Sequence, residues 1–212
     1  MKRTLMIFAV AASLLASCEK YDHIDNSIWI NDPDDIGLPK YSEWGYNTFG
    51  AVMGQRSYFV SSWLETPCSM EWHNNDSTLE FTMNGCKAYK ATVSGSEYRA
   101  YDDDDMSLTI IFPRDSVIDS CQKLYLLSGE RIILTNPAIK ILVKNGDNAP
   151  ELVTDIRSGE LFFKRVQMLY IDEKFEEAIV SGTFEIRYVK NGEKCELTDG
   201  RFDLGITPKL FW

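Results

Sequence analysis

Apolar and polar residues alternate over short stretches along most of this chain, and turn-forming dipeptides separate the stretches. Leu79, Phe81 and Met83 alternate with polar residues, and residues 106–112 repeat the pattern. A period of two residues is typical of strands that bury one face. The pattern predicts an all-β fold, an antiparallel meander that forms a sandwich or a lipocalin-like barrel. Strands are predicted at residues 49–52, 58–64, 68–72, 79–83, 87–93, 106–112, 123–127, 131–134 and 139–143.

The last third of the chain predicts both its strands and their register. Asn191-Gly192 and Asp199-Gly200 supply the positive φ angles that two-residue hairpin turns need. A five-residue loop at residues 172–176 is expected to lead back to the preceding strand. Residues 162–206 should therefore form a four-stranded meander with one apolar face throughout. The predicted cross-strand pairs are Tyr188 with Cys195, Ile186 with Leu197, Leu197 with Phe202, and Met168 with Val180.

Two segments in this region resemble a known family. Residues 181–185 (SGTFE) and 197–203 (LTDGRFD) are similar to the C-terminal motif of small lipoproteins of unknown function common in Bacteroidota. Residues 48–52 (TFGAV) look like the opening strand of that family's domain, although residues 53–56 (MGQR) replace the expected Asn-Gly turn. The resemblance covers residues 48–206. It implies an extracytoplasmic β-domain and no established activity or catalytic residue.

The first eighteen residues predict the location of the protein. Lys2 and Arg3 precede an apolar run at residues 5–15, which is shorter than the roughly 20 residues that span a bilayer. Residues 15–18 (LASC) match the bacterial lipobox, in which the cysteine is acylated and becomes the mature amino terminus. We therefore predict a signal peptide at residues 1–17 and a lipidated Cys18. The expected location is the envelope of a Gram-negative bacterium, at the outer membrane, with the lipid as membrane anchor.

The residues after the lipobox predict a tether. Residues 18–41 are polar and rich in turn-forming residues, and they show no sustained period of 2 or 3.6. An apolar interruption at residues 27–30 could dock onto the domain. Residues 42–212 are predicted to form a single β-domain.

Charge and composition exclude several classes of function. The chain has 212 residues, with 22 basic and 32 acidic side chains and a formal net charge of −10. A strong negative charge opposes sequence-independent nucleic-acid binding, so no nucleic-acid partner is expected. His73 is one of only two histidines, and it lies in a predicted hairpin turn at residues 73–76. No Walker, dinucleotide or G-x-S-x-G motif occurs, so we predict no catalytic residue, no cofactor and no enzyme activity.

Two further features suggest chemistry only weakly. Besides Cys18 the chain has four cysteines, Cys68, Cys86, Cys121 and Cys195, without C-x-x-C spacing. In an oxidising envelope they could form two disulfides in any of three connectivities, or they could be small apolar core residues. The acidic run at residues 102–105 lacks the spaced ligands and glycine of a calcium loop. It therefore predicts a solvated loop and no metal site.

Aromatic side chains are the remaining candidates for binding. Tyr41, Trp44 and Tyr46 cluster where the predicted tether meets the domain, and flat rings on a sheet can stack against sugars. The simpler interpretation is that this cluster seals the entrance of the domain while Trp63 and Trp72 lie in the core.

Two functional hypotheses follow from these features. The preferred one is a non-catalytic envelope lipoprotein that binds a ligand or an envelope protein, with a glycan as the first ligand to test. The alternative is a carboxylate-dependent hydrolase of an envelope or dietary polymer, which needs two facing carboxylates about 5 to 10 Å apart. A purely structural role is also compatible with the sequence.

Overall fold

A computed structural model describes residues 27–35, 37–55, 57–61, 67–94 and 96–212, with the backbone alone at residues 92, 93, 96–99 and 101–104. It confirms the all-β prediction: an eleven-stranded antiparallel sheet curls into a half-barrel. The strand order is β6-β9-β10-β11-β1-β2-β4-β5-β7-β8, and β3 pairs with β4 beside β2. The strands are β1 (Thr48–Met53), β2 (Ser57–Ser61), β3 (Cys68–His73), β4 (Thr78–Val93), β5 (Ser96–Pro113), β6 (Arg131–Ile133), β7 (Lys140–Asn145), β8 (Glu151–Leu152), β9 (Ile156–Ile171), β10 (Lys174–Lys190) and β11 (Glu193–Ile206).

The hairpin between β10 and β11 has the predicted register. Tyr188 lies opposite Cys195, and Ile186 lies opposite Leu197. The turn is Asn191-Gly192, and both residues have positive φ angles, of 54° and 82°. Turn chemistry and the apolar pattern therefore predicted this hairpin correctly.

The predicted turn at Asp199-Gly200 is wrong. The strand β11 continues through these residues, and Phe202 lies opposite Gly182 instead of Leu197. Asp199 does have a positive φ angle, of 53°. The residue lies in a β-bulge, where β11 has one residue more than β10. The region therefore contains three long strands and not a four-stranded meander.

The predicted five-residue loop between β9 and β10 is also wrong. The connection is a two-residue turn at Asp172-Glu173, where the φ angles are 49° and 65°. A β-bulge between Phe175 and Glu177 then adds one residue to β10, so Met168 pairs with Ala178 instead of Val180. The error is two residues, and because side chains alternate with a period of two, the same face of each strand still points to the core.

Two other predictions need correction. Residues 123–127 belong to a 3-10 helix, Cys121–Leu127, whose side chains Cys121, Leu124 and Leu127 are buried. Three buried positions spaced three residues apart match that helix better than a strand. The strands predicted at 79–83 and 87–93 are one continuous strand, β4.

Phenylalanine side chains fill the inside of the half-barrel. Rings from β4, β5, β9, β10 and β11 lie with their centroids 5.5 to 6.5 Å apart. Gly182 fits beside them because a β-carbon there would lie 2.6 Å from Cζ of Phe202. The concave side of the sheet is thus a packed core and not an aromatic-lined ligand cavity. The rings are those of Phe81, Phe112, Phe163, Phe184 and Phe202.

A second, smaller core lies on the outer side of the sheet. Leu38 is buried there, and Trp29 packs against the same cluster. Residues 28–35 and 37–40 therefore lie against the domain, although they fall in the segment predicted as a tether. The buried members are Leu38, Tyr58, Val60, Cys86 and Ala88. Within the described residues, no helix is both long enough and apolar enough to cross a bilayer.

Candidate functional site

The residues 41–47, here called the crossing segment, run over the outer face of β9, β10 and β11. Asp203 on β11 holds this segment, although its side chain is only 2% exposed. Three of its hydrogen-bond donors are consecutive backbone N–H groups, at 2.9 to 3.1 Å. A buried carboxylate that accepts this many hydrogen bonds fixes the path of the backbone. The donors are the N–H groups of Trp44, Gly45 and Tyr46 and the hydroxyls of Ser42 and Ser181.

Further contacts hold both ends of the crossing segment. Arg165 forms an ion pair with Glu43 at 2.9 Å, and its hydrogen bond holds the pKa of that carboxyl below its usual range. Gln167 donates a hydrogen bond to the Glu43 carbonyl at 2.7 Å. At the other end, the Gly205 N–H donates to the side-chain carbonyl of Asn47 at 2.8 Å. The crossing segment is therefore bound to β9 and to β11.

The three aromatic residues predicted from sequence have different environments. Tyr41 is half-buried, its hydroxyl donates to Glu43 at 3.0 Å, and the Lys164 ammonium lies 4.6 Å from its ring centroid. Burial, together with the Glu43 carboxylate, raises the pKa of Tyr41 above its usual range. Tyr46 is also half-buried, whereas Trp44 is 75% exposed.

The simpler interpretation of these aromatics is therefore only partly correct. Trp72 lies in the core, as expected, while Trp63 is outside the described residues. Trp44 does not seal the entrance of the domain, because the carboxylate of Asp203 holds its backbone and leaves the indole in solvent. Cys18, the predicted lipidation site, also lies outside the described residues.

A groove of about 450 Å³ lies beside the crossing segment, on the outer face of the sheet. The bulge at Asp199 forms one wall, and the Tyr41 side chain forms another. Most of the lining side chains are polar, so the groove offers both donors and acceptors of hydrogen bonds. The principal lining residues are Tyr41, Glu160, Thr183, Glu185, Asp199 and Arg201.

Two carboxylates of the groove are adjacent to each other. Glu160 on β9 and Glu185 on β10 are direct cross-strand partners, so their β-carbons are about 5 Å apart. Arg131 forms an ion pair with Glu160, and Arg187 lies 3.5 Å from Glu185. These guanidinium groups reduce the repulsion between the two carboxylates.

Arg201 supplies the positive charge of the groove. It forms an ion pair with Asp32, and its Nε donates to the Asp199 carbonyl at 3.3 Å. The pKa of Asp32 is lowered, first by a hydrogen bond from the Asp34 N–H and then by Arg201. Through this pair, the segment before the crossing segment helps to position a groove residue.

No disulfide joins the four cysteines of the described residues. Cys68, Cys86 and Cys121 are buried, and Cys195 is half-buried. Burial raises the pKa of Cys68 beyond its usual range and that of Cys121 to about 12. The possible disulfides considered from sequence do not form, and three of the cysteines act as small apolar core residues.

The predicted turn around His73 is present, but the acidic run is not a loop. His73 ends β3 and lies between two glutamates, 3.6 Å from Glu71 and 3.1 Å from Glu80. The aspartates at 102–105 lie in β5. Asp105 pairs with Cys86, and Tyr101 pairs with Ala88, so β5 advances four residues where β4 advances two. The difference is a β-bulge in β5. Over the described ranges, no group of three or more His, Cys, Asp or Glu is placed to hold a metal ion.

Most groove residues were not identified from the sequence. Asp199, Arg201 and Asp203 belong to the recognised LTDGRFD segment, but their roles depend on contacts with the distant residues 32 and 42–46. A signal was available for Asp203, since an aspartate between two buried apolar residues of a strand needs partners. Glu160 and Glu185 show no distinguishing pattern in sequence.

Comparison of the chain with protein-family models, with curated proteins and with solved structures finds no match. The resemblance to the Bacteroidota lipoproteins therefore stays a prediction.

Proposed function

We propose that this protein is a non-catalytic, lipid-anchored envelope protein whose β-domain binds a glycan in the groove beside Tyr41. The observation that supports the proposal is the polar lining of that groove. Carboxylates accept hydrogen bonds from sugar hydroxyls, and a guanidinium donates to them. The lipobox supports the envelope location.

The charges of the groove narrow the class of ligand. Three of its principal side chains are carboxylates and one is a guanidinium that already has a carboxylate partner, Asp32. Arg131 beside Glu160 and Arg187 beside Glu185 add two further positive charges at its edge, so the charges around the groove nearly cancel. We therefore expect a neutral glycan to bind more tightly than a uronic acid or a phosphorylated glycan.

The test is binding of purified full-length mature protein to a panel of neutral, amino and acidic oligosaccharides, measured by titration calorimetry. For a ligand found in this way, Glu185→Gln should weaken binding by roughly tenfold, as expected for loss of a charged hydrogen bond. Glu176→Gln is the matched control, because Glu176 is also exposed on β10 but does not line the groove. Equal affinities of the two variants would contradict the site.

Trp44 provides a second test of where the ligand binds. It is not among the lining residues, so Trp44→Ala should leave glycan affinity unchanged if the groove is the site. Loss of affinity in this variant would instead place the ligand on the aromatic cluster predicted from sequence.

One observation favours a second candidate, a carboxylate-dependent hydrolase. Glu160 and Glu185 are direct cross-strand partners in the groove, and glycosidases likewise use two neighbouring carboxylates. One of the two would have to be protonated to act as the general acid. Release of reducing ends from a polysaccharide, abolished by Glu160→Gln, would establish the hydrolase and exclude the non-catalytic proposal.

A further inference from the structure

Exposed apolar side chains lie around Trp44 of the crossing segment, towards the end of β9 opposite to Glu160 of the groove. Four of them, which we call the apolar surface, are Ile28, Trp44, Leu169 and Ile171, which are 52%, 75%, 37% and 48% exposed. Large exposed apolar side chains that lie near one another mark interaction sites more often than scattered ones do. The apolar surface therefore needs a covering partner.

Backbone and side-chain contacts bring these residues together. Gln167 donates to the Glu43 carbonyl, so β9 passes directly beneath the residue before Trp44. Leu169 and Ile171 follow Gln167 on the same face of β9, because side chains alternate with a period of two. On the other side, the Ile28 N–H donates to the Tyr46 carbonyl at 2.8 Å.

The position of the chain before Ile28 identifies the partner. The nine residues from Cys18 to Asn26 can span at most about 30 Å. A lipid on Cys18 would therefore keep the apolar surface within that distance of the bilayer. We propose that the apolar surface rests on the membrane that holds the anchor, an inference that depends on the proposed lipidation of Cys18.

The chemistry of the apolar surface fits an uncharged lipid interface. Tryptophan side chains prefer the headgroup region, where the ring is shielded from water and its N–H can still bond. The neighbouring β9–β10 turn is acidic, at Asp172 and Glu173, and the chain carries a net charge of −10. Contact should therefore be favoured by zwitterionic lipids and weakened by anionic ones.

The orientation has a consequence for the groove. The groove and the apolar surface lie towards opposite ends of β9, because Glu160 lines the groove while Leu169 and Ile171 belong to the apolar surface. With the apolar surface on the bilayer, the groove lies on the same side of the sheet but is displaced towards the other end of β10. A ligand would then approach along the membrane surface.

The experiment uses the mature lipidated protein in phosphatidylcholine vesicles whose acyl chains carry bromine, which quenches tryptophan fluorescence on contact. We expect the brominated vesicles to quench more than unbrominated ones, and Trp44→Phe to lose the added quenching. Trp212→Ala is the control, because Trp212 is also largely exposed but lies beside β3. Leu169→Glu should reduce the quenching without removing the fluorophore.

Vesicle flotation separates the two proposals. Protein that fails to float with the vesicles contradicts the lipid anchor itself. Protein that floats while Trp44→Phe and wild type are quenched equally contradicts the membrane contact alone. Equal quenching in phosphatidylcholine and in vesicles rich in anionic lipid would contradict the assigned lipid chemistry.

Discussion

Replacement of Asp203 by asparagine should release the crossing segment from the sheet. The carboxylate accepts five hydrogen bonds, three of them on Oδ2 and two on Oδ1. An asparagine amide presents one oxygen and one NH₂ group, so at least two donors face another donor. A hydrogen bond to a charged group contributes about 1.5–3 kcal/mol, so Asp203→Asn would cost about 3–6 kcal/mol if the segment stayed in place. Detachment of the segment, which returns its N–H groups to water, sets an upper limit on the observed loss, because the variant adopts the less costly of the two arrangements.

Two measurements distinguish these outcomes. Urea unfolding gives the change in the free energy of unfolding, and hydrogen exchange of the Trp44, Gly45 and Tyr46 amides reports local release. We expect those amides to lose protection while the amides of β4 keep theirs. Ser181→Ala is the control: it removes one donor to the carboxylate, should cost about 1.5–3 kcal/mol, and should leave the three amides protected. Unchanged protection of the three amides in Asp203→Asn would refute the role assigned to the carboxylate.

Two further predictions concern titration and thiol chemistry. The pKa of Asp35 is lowered, because hydrogen bonds from Gly37, Lys90 and Tyr58 together outweigh the opposing effect of burial. The ionised Asp35 carboxylate therefore stabilises the folded state above about pH 4, its pKa in the unfolded chain, and this stabilisation is lost as the pH falls further. Below about pH 4 the urea midpoint of Asp35→Asn should depend less on pH than that of wild type. An equal pH dependence of the two midpoints would contradict this. Iodoacetamide at pH 8 should alkylate the half-buried Cys195 before the buried Cys68, and mass spectrometry of the native protein would show the order.

The sequence predicted the features that depend on short-range pattern. Alternation predicted the strands, and Asn191-Gly192 predicted the β10–β11 turn, because a two-residue turn leaves little freedom of register. The dipeptide Asp199-Gly200 has the same backbone preference but forms a bulge. A positive φ angle at one residue is compatible with a hairpin turn and with a β-bulge. Which of the two forms depends on whether β10 is long enough to pair with β11 on both sides of Asp199-Gly200.

The candidate site could not be predicted because its contacts are long-range. Trp44 looks like a core residue in sequence, but it is exposed since Asp203, 159 residues away, holds its backbone. The groove likewise combines Tyr41 with Glu160 and Arg201, from three distant parts of the chain. Local periodicity carries no information on which outer-face residues will be neighbours.

The pairing of β1 with β11 has a consequence for how the protein reaches its native state. The first strand lies beside the last, and Ser42 bonds to Asp203 across 161 residues of sequence. A chain made amino terminus first cannot form this pairing until its final strand has been synthesised. Until then β1 has an open edge, which is where unpaired β-structure aggregates. If the chain is exported as proposed, the domain would complete its sheet only after the last strand had crossed the membrane.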